Sequence, residues 1–172
     1  MSKTDSYALW IIPDGAAYTL MDGYIAKLSS AYHFPRFEPH VTILGGIRTA
    51  EKSLVRGITE GLAPFRVRLA GEVEYLDEYF RCLFLRARKT PELMEIFSKA
   101  SETFGYEGDP YFPHLSLAYG EFPIRTKREM IRELGAIPKV EFEARSIHLA
   151  HASTRMPISN WKVIERFPLG RG

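Results

Sequence analysis

Two histidines in this chain sit in near-copies of one short pattern. Phe37-Glu38-Pro39-His40-Val41-Thr42-Ile43-Leu44-Gly45-Gly46 aligns with Tyr111-Phe112-Pro113-His114-Leu115-Ser116-Leu117-Ala118-Tyr119-Gly120. Both read aromatic, any residue, Pro, His, apolar, hydroxyl, apolar, apolar, any residue, Gly. In a strand, residues two apart share a face. His40 and Thr42 therefore point one way, as do His114 and Ser116, while Val41, Ile43, Leu115 and Leu117 point the other. The prolines disfavour helix just upstream and remove a backbone donor, which suits the start of a strand.

An imidazole beside a hydroxyl has a chemical use. Free imidazole titrates near pH 6.5, so one copy can accept a proton while the other, kept charged by a nearby phosphate, donates one. Hydroxyls donate hydrogen bonds to phosphate oxygens without bringing a charge. Two such half-sites facing each other suit hydrolysis of a phosphodiester, with no metal required. His114 is read as the base for water and His40 as the acid for the leaving oxygen, although the internal symmetry hardly separates the two roles. One such motif alone would be read as a half-buried histidine at a sheet edge. The repetition is what favours chemistry.

The elements that must position these groups alternate. Residues 6–12 and 41–46 read as strands, with a helix from about 16 to 32 between them on the four-residue step of Leu20, Tyr24 and Leu28. A helix over 49–62 is expected, with Thr49 as its cap, then strands at 65–76 and 79–87. Thr90, Pro91 and Gly105 mark the ends of a further helix. After the second histidine strand come a short helix at 125–135 and two closing strands, VEFEARSIHLAHA and NWKVIERFPL. That mixture favours an α+β domain over a doubly wound one.

Composition narrows the classes. A net charge of +2 does not indicate a large basic face for long nucleic acid, though a local pocket for one or two phosphates stays open. Cys82 is the only cysteine, so no intramolecular disulfide can form, and within an apolar run it reads as a buried hydrophobe. No apolar run approaches a membrane span, and MSKTDSYALW lacks the apolar stretch of a secretory signal. His148 and His151 fall on opposite strand faces, and no Cys/His cluster has zinc spacing. Trp10, Tyr79, Phe80 and Tyr111 could stack on a base. Arg36, Arg48 and Arg81 could steer a phosphate. The RTKRE run (125–129) reads as the polar side of its helix.

The paired PHVTI and PHLSL segments closely resemble the H-x-[ST]-hydrophobic signatures of the 2H phosphoesterase superfamily. YFRCLFL (79–85) and PHLSLAYG resemble its plant and fungal-type cyclic nucleotide phosphodiesterases, and YALWIIP with the chain length fits that branch. The resemblance implies an α+β fold: two pseudo-symmetric lobes, each an antiparallel sheet with flanking helices, enclosing the active site in the cleft between them. It treats residues 1–172 as one bilobal domain. It implies opening of nucleoside 2′,3′-cyclic phosphates or ADP-ribose 1″,2″-cyclic phosphate to a phosphomonoester. His40 and His114 would be catalytic, with Thr42 and Ser116 holding the substrate.

Tyr119 sits where such enzymes hold an active-site tyrosine, but strict alternation turns it to the wrong face, so a bulge or strand end must re-aim it. Trp10 and Phe80 are the better candidates for a base, since they lie in matching segments. No metal or other cofactor is expected. The partner is a small cyclic-phosphate nucleotide, with RNA 3′ ends as a second class. A cytoplasmic monomer that does not engage a membrane is expected. Relatives of the plant type can carry several cysteines, so redox control by disulfides is not expected here. Two alternatives stay open: an RNA-end or 2′,5′ RNA ligase-like enzyme, which needs an extended basic groove, and a non-catalytic nucleotide-binding module.

Overall fold

The computed structural model describes residues 6–170. The chain runs β1 (Tyr7–Ile11), α1 (Gly15–Tyr32), β2 (Val41–Ile47), α2 (Lys52–Thr59), β3 (Phe65–Glu74), β4 (Leu83–Ala87), α3 (Pro91–Phe104), β5 (His114–Ala118), α4 (Ile124–Leu134), β6 (Val140–Ala144), β7 (Ser146–His151) and β8 (Lys162–Pro168), with short 3₁₀ turns at Tyr79–Arg81 and Ile158–Asn160. The fold class is α+β: four helices and one curled antiparallel sheet of eight strands, ordered β6-β3-β4-β5-β2-β1-β7-β8. The two histidine strands are its central pair. They meet at one register pair, Val41 opposite Leu115, so each four-stranded half is joined to the other through the segments that carry the repeat.

Strand alternation divides the sheet into two faces. Leu9, Ile11, Val41, Ile43, Leu83, Leu85, Leu115, Leu117, Ile147 and Leu149 pack into one core with Met21, Ile25 and Leu28 of α1, Val55 and Ile58 of α2, Leu93 and Ile96 of α3, and Met130 and Leu134 of α4. Their alternates face the other side, where Ala8, Trp10, Ala150 and Ala152 form a separate small cluster. His40, Thr42, His114 and Ser116 share that alternation, so the helical layer buries one face while the site occupies the other.

Local chemistry sets the element ends. Thr90 caps α3 by accepting from the Leu93 N–H at 3.3 Å, Pro91 opens the helix, and Gly105 closes it at φ 62°. Thr49 does not cap α2; its hydroxyl accepts from the Glu51 N–H, and the helix starts at Lys52. The stripe that α1 buries is Ala17, Met21, Ile25 and Leu28, while Leu20 and Tyr24 sit at its edge.

Three further expectations are corrected. Residues 79–87 are not one strand: the Leu76 N–H donates to Arg81 O at 3.0 Å and the Gly120 N–H to Tyr79 O at 3.1 Å, which folds 79–81 into a turn before β4. VEFEARSIHLAHA is two strands broken at Arg145, with β6 at the sheet edge beside β3 and β7 beside β1. The RTKRE run is not wholly a solvated face: Lys127 lies on the buried stripe of α4 with Met130 and Leu134.

Leu115 is fully buried at the junction of the two halves. Leu115→Ala should lower the unfolding free energy by roughly 3 kcal/mol in urea denaturation. A loss below about 1 kcal/mol would show that the central pair does not hold the halves together.

Candidate active site

Both imidazoles are held in the same way. His40 Nδ1 lies 2.6 Å from Glu38 O, and His114 Nδ1 lies 2.7 Å from Phe112 O. A carbonyl oxygen only accepts, so Nδ1 carries the proton in each ring and Nε2 keeps its lone pair. Both rings line one cavity of about 440 Å³.

The aromatic residue that opens each motif braces the other motif. Tyr111 donates its hydroxyl to Thr42 O at 2.9 Å, and Phe37 packs on Tyr119 at 4.2 Å between ring centroids. The copies are therefore cross-tied, and displacing one strand disturbs the other.

The environments of the two rings differ. Trp10 lies nearly parallel to His40, with centroids 3.9 Å apart and planes 18° apart, and Trp161 stands edge-on to it at 6.2 Å. His40 is only 5% exposed. Burial pushes its imidazole down to about 4; the Glu38 carbonyl pulls the other way, and His114 adds a repulsion. Burial also lowers His114, against the pull of the Phe112 carbonyl, and Arg81 and Arg86 lower it further while Glu78 opposes them. Those two guanidinium groups lie 5.4 and 4.5 Å from the Phe112 ring. Each has a carboxylate partner, Glu78 for Arg81 and Glu74 for Arg86.

His40, Thr42, His114, Trp10, Phe80 and Tyr119 all line the cavity. Tyr119 is turned into it because β5 ends at Ala118, which releases the next residue from the alternation. Burial raises its phenol, and the Ser116 hydroxyl pulls the other way. Ser116 lies behind the wall: it is 3% exposed and donates to Phe80 O at 3.5 Å. Trp10 gives one face to His40, so it supports the imidazole and has less surface left for a base. Arg81 lines the cavity, Arg36 is paired with Asp22 outside it, and Arg48 and Tyr79 border other depressions. His148 lies opposite Trp10 in the β1–β7 ladder, whereas His151 packs on Tyr7. Among the described residues, no group of three His, Cys, Asp or Glu is placed to hold a metal ion.

Trp161 was not anticipated from the sequence. It stands next to His40, stacks on Phe80 at 6.1 Å, meets Tyr119 edge-on at 5.6 Å, and is fixed by Nε1 donation to Ser153 O at 3.1 Å. Ser153 and Thr154, which follow β7, also line the cavity. Only the pairing of β7 with β1 and β8 brings this stretch to the site, so no local signal marked it.

Comparison with known proteins gives the family and the fold. A family model described as cyclic phosphodiesterase-like protein matches residues 5–169. An Arabidopsis thaliana protein named cyclic phosphodiesterase is 32% identical over 130 residues, covering 73% of this chain and 71% of the relative. A solved structure from Thermus thermophilus shares the fold at a TM-score of 0.63 and 19% identity, covering 95% of this chain and 97% of its own. E. coli LigT complexed with 3′-AMP also has a TM-score of 0.63, at 16% identity, covering 98% of this chain and 100% of its own.

The depressed His40 imidazole has a consequence for stability. The unfolded chain binds a proton near pH 6.5 and the folded chain only near 4, so between those values the unfolded state holds more protons. Stability contributed by neutral His40 is present above pH 6.5 and is lost as the pH falls towards 4, by about 3 kcal/mol. Denaturation of wild type and His40→Gln across that window should show a steep acid slope in wild type that is reduced in the variant. Equal slopes would contradict the assignment.

Proposed function

We propose, on the premise that this chain belongs to the cyclic phosphodiesterase-like family of 2H phosphoesterases, that it opens small nucleotide cyclic phosphates by paired-histidine acid–base catalysis. It is a phosphodiesterase, a hydrolase of phosphoric diesters. The observation that carries the finer reading is the matched pair of Nδ1-anchored imidazoles on the walls of one cavity.

In the proposed reaction His114 Nε2 takes a proton from water, whose oxygen attacks phosphorus. The bond from phosphorus to one ribose oxygen breaks, and that oxygen receives the proton on His40 Nε2. One water is consumed and a phosphomonoester leaves. Arg81 and Arg86 disfavour a charged His114, which suits a base at neutral pH. His40 must be protonated to act as the acid, and the negative phosphodiester between the rings raises its affinity for a proton. Thr42 faces the cavity and is suited to donate to a phosphate oxygen, while Tyr119, Phe80 and Trp161 form an aromatic wall for a base. The chain's own side chains supply the acid, the base and the hydroxyl, so no metal step enters the mechanism.

Nucleoside 2′,3′-cyclic phosphates and ADP-ribose 1″,2″-cyclic phosphate are the proposed substrates. LigT, which shares the fold, holds 3′-AMP, a nucleotide monophosphate. Small substrates are favoured over long RNA because Arg36, Arg66 and Arg68, cations on the outer surface, are paired with Asp22 and Glu141.

With EDTA present, phosphorus NMR should show ring opening by wild type, and a loss of roughly 10²–10⁴-fold in His40→Ala and in His114→Ala. Full activity in either variant would exclude the mechanism. Thr42→Ala should lower kcat/KM by about 10–100-fold and Ser116→Ala by less, since Ser116 bonds to the protein. The reverse order would exchange their roles.

The kcat/KM profile reports the free enzyme and should peak below pH 6.5, with kcat peaking higher once the bound anion raises His40. Coincident optima at or above pH 7 would contradict the electrostatics.

A further inference from the structure

Helix α4 hides a charge. Its buried stripe is Lys127, Met130 and Leu134, so a lysine stands where the spacing calls for an apolar side chain, and that side chain is 1% exposed. An ammonium group taken out of water is costly unless it is paired, so its partners indicate why it is there. Nζ donates to Leu76 O at 2.7 Å and lies 3.6 Å from Asp77 Oδ1. The Asp77 side chain is 97% exposed, so water screens that attraction and the carbonyl is the principal partner.

Leu76 begins the segment that supplies part of the site. Its N–H donates to Arg81 O at 3.0 Å, which closes residues 76–81 into a loop. On the β5 side the Gly120 N–H donates to Tyr79 O at 3.1 Å, and Ser116 Oγ to Phe80 O at 3.5 Å. Phe80 and Arg81, carried at the end of that loop, line the cavity. Phe80 stacks on Trp161, and the Arg81 charge reaches His114. Lys127 itself is not part of the cavity wall; it borders a separate depression formed with Asp77, Tyr79 and Gly120. With β5 gripping one side of the loop, Lys127 supplies the hold from the helical layer.

We propose that Lys127 is a positioning residue: by holding the Leu76 carbonyl from inside the fold, it fixes the loop that presents Phe80 and Arg81 to the nucleotide. This inference rests on the proposed function, in that the loop is taken to contact the part of the substrate away from the reacting phosphorus. Lys127 touches neither histidine in this arrangement. Its removal should therefore weaken substrate binding and leave proton transfer nearly intact.

Lys127→Met keeps the length of the side chain and deletes its donor and charge. The variant should fold and raise KM for a 2′,3′-cyclic nucleotide about tenfold, while kcat changes less than about threefold. Amides of residues 76–82 should exchange with deuterium faster than in wild type, while those of β5 keep their rate. Unchanged KM with unchanged exchange would overturn the proposal, as would a loss carried by kcat alone. A lowered Tm with kcat and KM both preserved would leave Lys127 as a packing residue and would also overturn it. Should the methionine variant not fold, Lys127→Gln is judged by the same readouts. If wild type opens no cyclic phosphate, the proposed function fails by itself, and hydrogen exchange alone decides whether Lys127 holds the loop.

Discussion

A backbone carbonyl two residues upstream of each imidazole can accept a hydrogen bond and can never donate one. That constraint, met at Glu38 O for His40 and at Phe112 O for His114, fixes which ring nitrogen is free. The intervening proline favours it: Pro39 and Pro113 disfavour helix at the residue before them, whose carbonyl meets the ring that follows. Everything else around the site serves to keep these two short segments in register. They lie on adjacent central strands, joined at Val41 and Leu115, and each sends an aromatic side chain across to the other.

Burial and function pull against each other here. A neutral imidazole stacked on Trp10 is well placed, but the same desolvation holds His40 near 4 and would leave it without a proton at neutral pH. An anionic phosphodiester reverses that balance, so in the proposed mechanism the substrate itself recruits the acid. The free protein is then a poor acid catalyst by construction, and the proton becomes useful only with substrate in place. His114 is subject to the additional influence of Arg81 and Arg86, on which its proposed role as the base draws.

Much of the site could be read from the sequence because its main components are local. His40, Thr42, His114 and Ser116 fall on one face by alternation alone, and the repeat marked them without any knowledge of the fold. The helix ends at Thr90 and Gly105 were legible for the same reason, since a cap is a short-range hydrogen bond. What could not be read depends on contacts distant in sequence. Trp161 reaches His40 only through the pairing of β7 with both β1 and β8, and the break at Arg145 is visible only once β6 and β7 separate towards different neighbours. Ser116 followed the alternation correctly, yet the loop at 79–81 folded over it and took its hydroxyl. Lys127 misled for the opposite reason: a charge in a polar run looks solvated until the loop that accepts its hydrogen bond is in place.

The central claim, that the backbone holds both imidazoles as neutral rings protonated at Nδ1, can be tested directly by long-range proton–nitrogen correlation NMR on ¹⁵N-histidine-labelled protein near pH 7. The account predicts that His40 and His114 both show the Nδ1–H tautomer, with Nε2 in the range of an unprotonated nitrogen. An Nε2–H tautomer at either residue in the free protein, or a doubly protonated His40 at that pH, would contradict it.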